Sequence, residues 1–159
     1  EQWASVLQRL EALERRAAEP APPAAEGRFW LLEALRAQLP AGGGAVVYGG
    51  IVHLPAGPVE WQIGRAQGDL MGADWPALAA RLAALGHRVR LALLRALVEG
   101  PATVQALAAL PGLGTTGQLY HHLRELESAG WVHSPERGRY AVPPERVVPL
   151  LAVLSAARS

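Results

Sequence analysis

The sequence predicts a mainly α-helical fold with a small amount of β structure, and three observations lead to this prediction. Apolar residues recur at helical spacing almost throughout residues 74–128. Glycine and proline interrupt that region where helices should end, as at Gly100-Pro101. After Gly130, alternating residues form a short hairpin with arginines at its tip. A helix that leads into such a hairpin is the arrangement of a winged helix-turn-helix, which we predict for residues 74–159.

The composition limits the classes of protein only mildly. The 159 residues are enough for one ordinary domain or two small ones, and the 50% apolar fraction is enough for a packed core. Cysteine is absent, which excludes disulfides, thiolate metal sites and cysteine catalysis. The net charge is +1, and between His87 and Val142 there are six arginines and four glutamates. This is a weak electrostatic signal for nucleic acid.

Residues 1–18 have the heptad spacing of a short coiled-coil helix. So short a helix is marginal in water, so its apolar stripe needs a partner. Two partners remain open, a twin helix from a second subunit and the helix's own domain. Residues 19–27 form a Pro/Ala linker. The stripe consists of Trp3, Val6, Leu10, Leu13 and Ala17, and the first four of these are the candidate dimer contacts.

Residues 28–73 are predicted to form a small subdomain with one helix, over 28–39, and a β-hairpin, over 45–64. A bulge is predicted at Gly49-Gly50 in preference to a second tight turn, and a polar loop is predicted over 65–73. Aromatic side chains concentrate around the hairpin. They suggest either a pocket for a small-molecule effector or simply the core that a small hairpin needs. The candidate pocket residues are Trp30, Tyr48, Trp61 and Trp75.

The remaining residues are predicted to contain five helices and the wing. Asp74 caps a helix over 75–85, and Thr103 caps a short helix that ends at Leu110. The other helices span 88–98 and 115–128, and the last one starts at Pro143-Pro144. The wing spans 131–142.

The helix over 115–128 has two distinct faces. Leu119, Leu123 and Leu126 point inward at helical spacing, so the opposite side of the helix faces outward. Free amides at the helix N-terminus favour a phosphate, although the threonines there also serve as ordinary caps. Arginine pairs with guanine or phosphate, and glutamine pairs with adenine. The candidate DNA contacts are Thr115, Thr116, Gly117, Gln118, Tyr120, His121 and Arg124 on the helix, and Arg137 and Arg139 on the wing.

Three sequence blocks in succession resemble the ArsR-type winged-helix repressors. They are the run from Leu85 to Leu91 (LGHRVRL), the run from His121 to Leu126 (HHLREL), and the run from Ala129 to Val132 (AGWV). The resemblance covers roughly residues 78–157. It implies a homodimer that places two recognition helices in adjacent major grooves, and usually an effector that releases the DNA.

The resemblance also implies that terminal helices hold the dimer together. On the last helix the apolar positions expected there are Val147, Leu151 and Leu154. Metal sensors of this family use cysteines, or histidine and aspartate clusters on terminal helices. This chain has no cysteine and its last helix has no histidine, so no family metal site carries over and no cofactor is expected.

Two functional classes are supported by the sequence, and a third is not. The first is a DNA-binding regulator that binds a palindromic operator as a homodimer. The second is a protein-interaction module that keeps the winged-helix shape, which the near-neutral charge suggests. An enzyme has no positive support, because no nucleophile motif is present and the acidic residues are scattered. With no leader or membrane-spanning run in the sequence, a cytoplasmic location is expected.

Overall fold

The computed structural model describes residues 29–158 of the chain. The predicted coiled-coil helix of residues 1–18 and the linker of residues 19–27 lie outside this range, and so do the candidate dimer contacts on that helix. The chain divides into two compact units, Glu1–Gly43 and Gly44–Ser159. In the first unit, helix α1 (Trp30–Gln38) confirms the predicted helix. It ends at Leu39, whose backbone N–H donates to the carbonyl of Leu35.

The second unit begins with an antiparallel hairpin of strands β1 (Ala45–Leu54) and β2 (Gly57–Ala66), as predicted. The predicted bulge is wrong, because the register runs without a shift from Ala45 opposite Ala66 to Leu54 opposite Gly57. The glycines serve close approach instead. A Cβ on Gly50 would lie 3.5 Å from a methyl group of Val148. A Cβ on Gly49 would lie 3.0 Å from the carbonyl oxygen of Trp61.

The segment after the hairpin differs from the prediction in two places, residues 67–71 and residues 76–83. Helix α2 (Gln67–Met71) replaces the predicted polar loop. Strand pairing ends at Ala45 opposite Ala66, and the backbone N–H of Gln67 still donates to the carbonyl of Gly44 at 2.7 Å. The residues after Gln67 have no strand partner and satisfy backbone hydrogen bonds in a helical turn, as Gly72 does with Gly68. A 3₁₀ turn (Pro76–Leu78) and helix α3 (Ala79–Ala83) replace the single predicted helix over 75–85. Asp74 accepts a hydrogen bond from the backbone of Ala77 at 3.4 Å, which fits its predicted capping role.

The remaining elements confirm a winged helix-turn-helix. Strand β5 (Arg139–Ala141) lies between β3 (Ala102–Thr103) and β4 (His133–Glu136) in a three-stranded antiparallel sheet. Strand β3 was not predicted, since it has only two residues. The elements in order are α4 (Arg88–Glu99), β3 (Ala102–Thr103), α5 (Val104–Ala108), α6 (Thr116–Ser128), β4 (His133–Glu136), β5 (Arg139–Ala141) and α7 (Pro144–Ala156).

The core of the second unit lies between α4, α6 and α7. It is built mainly from leucine, and each fully buried leucine contributes about 1.5–3 kcal/mol relative to an exposed one. Within residues 29–158, no helix is long and apolar enough to cross a membrane. The side chains buried most completely are Leu93, Leu94, Leu97, Leu107, Leu119, Leu123, Leu126, Val147 and Leu150.

The β1–β2 hairpin belongs to the same compact unit as the winged helix. Val52, Leu54 and Val59 pack against the core, and Gly50 lies over Val148 of α7. This second unit starts at Gly44, and the boundary between residues 73 and 74 stays a prediction. The hairpin is too small to bury its own apolar face, which explains why it covers the last helix.

Helix α7 contributes more to its own core than predicted. Val147 is only 2% exposed, so it is not available for contact with a second subunit, and that prediction is corrected. Leu154 is partly buried against the same core. Leu151 is 37% exposed and remains the accessible member of the predicted set on this helix.

Candidate nucleic-acid interface

The N-terminus of α6 is fixed by a capping box. The hydroxyl of Thr115 accepts from the backbone N–H of Gln118 at 3.4 Å, and the backbone N–H of Thr115 donates to the side-chain carbonyl of Gln118 at 2.9 Å. This pair of bonds sets where the helix begins. Thr115 is therefore a cap, as its sequence position suggested. Gln118, predicted as an adenine contact, uses its side-chain oxygen within the helix in this structure.

The two faces of α6 differ as the leucine spacing predicts. Leu119, Leu123 and Leu126 are buried almost completely. From Thr115 to Arg124 the outer face carries neutral and basic side chains and one glycine whose missing side chain leaves open space, and the exposed Glu125 and Glu127 follow. The exposed predicted contacts on this helix are Thr115, Thr116, Gly117, Gln118, Tyr120, His121 and Arg124.

Arg124 is the best-placed base or phosphate contact on the outer face. It is exposed and forms no ion pair with any carboxylate among residues 29–158, including the nearby Glu127. Burial raises the pKa of the Tyr140 hydroxyl on the wing, Glu127 and Tyr120 raise it further, and the positive charge of Arg124 opposes the shift.

The wing places its two arginines differently. The turn consists of Arg137 and Gly138, and Gly138 has φ of 76°, a left-handed conformation that favours glycine. Arg137 is exposed at this turn. Arg139 directly follows this turn and begins β5, where it pairs with Glu136 at 3.9 Å and donates to the carbonyl of Pro101 at 3.3 Å. Arg139 thus ties the tip of the wing to Pro101, and Arg137 is the freer of the two.

Comparison with known proteins decides the family. Residues 85–134 match a family profile described as a helix-turn-helix domain. Among curated proteins, none matches the chain. Seven chains of solved structures do, and one is described as the crystal structure of an ArsR family transcriptional regulator. It is 32% identical, and the match covers 54% of this chain and 92% of that chain, with a TM-score of 0.42. The chain belongs to the ArsR family.

Membership of the ArsR family confirms the resemblance predicted from the sequence and makes the chain a DNA-binding transcriptional regulator. Two of the sequence blocks that carried the resemblance meet in space. His87 caps α4 by accepting from the backbone of Val89 at 3.2 Å, and its ring lies 4.6 Å from that of His122 on α6. Sequence reasoning placed His122 beside the leucine stripe but missed this contact, because 35 positions separate the two histidines.

His122 is a pH-sensitive point in the contact between α4 and α6. Its Nδ1 is buried and has no hydrogen-bond partner among residues 29–158. Burial lowers the pKa of His122 from its ordinary value of 6.5. His87 and Arg90 on α4 and His121 on α6 lower the pKa further, and Glu125 opposes them.

Removing His122 should therefore change how stability depends on pH. Because the pKa of His122 is lowered in the folded state, the unfolded chain binds more protons than the folded chain once the pH falls below 6.5. The contribution of neutral His122 to stability is therefore complete above pH 6.5. It is lost as the pH falls through the lowered pKa of the folded state. Urea unfolding from pH 8 to pH 4.5 should show this drop in the wild type and a smaller drop in His122→Gln. The exposed His53→Gln should keep the wild-type drop, and an unchanged profile in His122→Gln would contradict the assignment.

The predicted aromatic pocket is not assembled as expected in this ArsR-family chain. Trp30 belongs to the first unit, and Trp61 and Trp75 are exposed in the second. Trp75 donates its indole N–H to the carbonyl of Leu70 at 2.7 Å. Only Tyr48 of the four lines a cavity in the second unit, and neither Trp61 nor Trp75 lines it.

Proposed function

We propose that this protein binds a palindromic operator as a homodimer, with α6 in the major groove and the wing, residues 131–142, on the flanking backbone. The observation that carries the proposal is the outer face of α6. It is exposed along its length and contains no acidic residue between Thr115 and Arg124, while the opposite face is buried. A helix with these two faces, followed by an arginine-bearing wing, suits groove binding.

The proposed contacts divide into positioning and base-reading groups. The backbone amides after Thr115 and the guanidinium of Arg137 bind phosphates, which set the orientation of the helix. Gly117 lets the helix backbone approach the edges of the bases. Arg124, which no carboxylate neutralises among the described residues, reads guanine or binds a phosphate. Gln118 reads adenine only if its capping bond to Thr115 is exchanged for one to the base.

A second copy of the chain supplies the second recognition helix. The operator symmetry then follows from the twofold symmetry of the dimer. On α7 the side chains of Leu151 and Val153 are available for the contact, since both are partly exposed apolar groups. Light scattering after size exclusion measures the oligomeric state directly. A monomer at micromolar concentrations would contradict this part of the proposal.

Replacing Arg124 with alanine should weaken operator binding by about 1–3 kcal/mol, because one charge-assisted contact is lost. Electrophoretic mobility shift with the protein's own upstream region, at two salt concentrations, measures the change. The matched control is Arg95→Ala, which removes an exposed arginine from α4. Equal affinity of the two variants would remove Arg124 from the interface.

The near-neutral net charge of +1 favours one competing function, a protein-interaction module that retains the winged helix. The same mobility-shift experiment separates the two functions. No shift at low salt with any genomic fragment would support the interaction module. A shift that weakens steeply with salt would support the operator-binding function, because released counterions make DNA binding salt-dependent.

A further inference from the structure

A cavity of about 430 Å³ lies within the second unit, between the 3₁₀ turn and α3 on one side and α7 and β1 on the other. Its size is within the range of small-molecule sites, about 300–1,000 Å³. Its walls are mostly apolar, and they come from Tyr48, Leu78, Leu82, Trp131, Pro149 and Val153. Tyr48 belongs to the hairpin, which lies outside the residues 85–134 of the helix-turn-helix match.

The charged side chains that line this cavity are Arg81 and Arg146. Neither forms an ion pair with a carboxylate in the part of the chain that the structure describes. Arg146 is half-buried, and its guanidinium carbon lies 5.8 Å from the centre of the Trp131 ring. The cavity thus combines an apolar interior with two uncompensated positive charges, and no acidic residue lines it.

We propose that this cavity binds a small organic carboxylate with an apolar body. The carboxylate supplies the negative charge that the two arginines lack, and a planar guanidinium pairs with a carboxylate through two parallel hydrogen bonds. The apolar body fills the space between Trp131 and the aliphatic side chains. An inorganic anion would leave that space empty, and a neutral apolar molecule would leave both charges uncompensated.

Trp131 connects this cavity to the recognition helix. Its indole N–H donates to the carbonyl of Arg81 at 2.9 Å, and its backbone N–H donates to the carbonyl of Leu126 at 2.9 Å. A molecule in the cavity therefore contacts a residue whose side chain is bonded to α3 and whose backbone is bonded to the end of α6. Binding itself does not depend on the proposed operator function, and it is measured without DNA.

Isothermal titration calorimetry of the full chain with 2-naphthoate, its neutral amide 2-naphthamide and inorganic phosphate tests the proposal. We expect 2-naphthoate to bind about tenfold or more tightly than the amide, since the charged contact is what the amide lacks. Phosphate should bind more weakly than 2-naphthoate as well. Absence of 2-naphthoate binding, or equal binding of the amide, would overturn the proposal.

Substitutions locate the site. Arg146→Gln should weaken 2-naphthoate binding by about tenfold or more, whereas Arg146→Lys should retain part of it because the charge remains. Leu82→Glu places a negative charge at an exposed position on the cavity wall and should weaken binding without disturbing the core. Arg95→Gln, which removes an exposed arginine outside the cavity, should leave binding unchanged. Thermal unfolding confirms that each variant is folded, and an equal loss in Arg95→Gln would also overturn the proposal.

Discussion

Replacing Gly117 with glutamate should abolish operator binding while leaving the fold intact. A Cβ added at Gly117 meets nothing within 4 Å, and the position is exposed, so the substitution leaves the core undisturbed. Glutamate places a negative charge where α6 would approach the DNA, and like charges brought together in an interface cost several kcal/mol, which corresponds to a loss of about a hundredfold or more. Electrophoretic mobility shift measures the loss.

The same substitution should not lower stability. Glycine within a helix costs roughly 0.5–1 kcal/mol relative to alanine, and an acidic side chain in the first turn interacts favourably with the helix dipole. Gly117→Ala adds only a methyl group and should weaken binding less than Gly117→Glu does, and Ala92→Glu supplies the same change of net charge on an exposed position of α4. If Gly117→Glu binds the operator as well as Ala92→Glu does, α6 is not the DNA-contacting helix.

Leu123→Ala should lower the free energy of unfolding by about 2–5 kcal/mol. Leu123 is 0% exposed at the centre of α6, so its truncation both loses buried apolar surface and leaves a cavity. Urea unfolding followed by circular dichroism measures the change.

The matched control for Leu123→Ala is Leu82→Ala. Leu82 is also helical but is 56% exposed, so surface truncation there should cost no more than about 0.5 kcal/mol. Should the two variants unfold at the same urea concentration, the core would not be organised around α6.

Local sequence signals predicted most of the helices correctly. The leucine periodicity of α6 indicated which side is buried, and Thr103 and Thr115 are the N-caps of α5 and α6. These predictions succeeded because a helix is determined by residues three and four positions apart, which the sequence displays directly. The two-residue strand β3 was missed because its pairing with β5 depends on residues far along the chain.

Several of the errors involve contacts between distant segments. Gly49-Gly50 suggested a bulge, yet Gly50 lies against Val148, which no local pattern reveals. Val147 was expected at a dimer contact, yet its side chain is buried in its own domain. The contact of the Arg139 guanidinium with Pro101 was not foreseen either. In each case the sequence identified the element correctly, and the partner of the side chain became apparent only in three dimensions.

The packing of the hairpin on α7 determines where a shortened version of this protein can begin. A fragment starting at residue 74 would retain every element of the winged helix but would uncover Val148 and the aliphatic side chains beneath β1 and β2. Exposing that surface would make the fragment prone to aggregation. A minimal soluble fragment should therefore start no later than Gly44, even though the helix-turn-helix match begins only at residue 85.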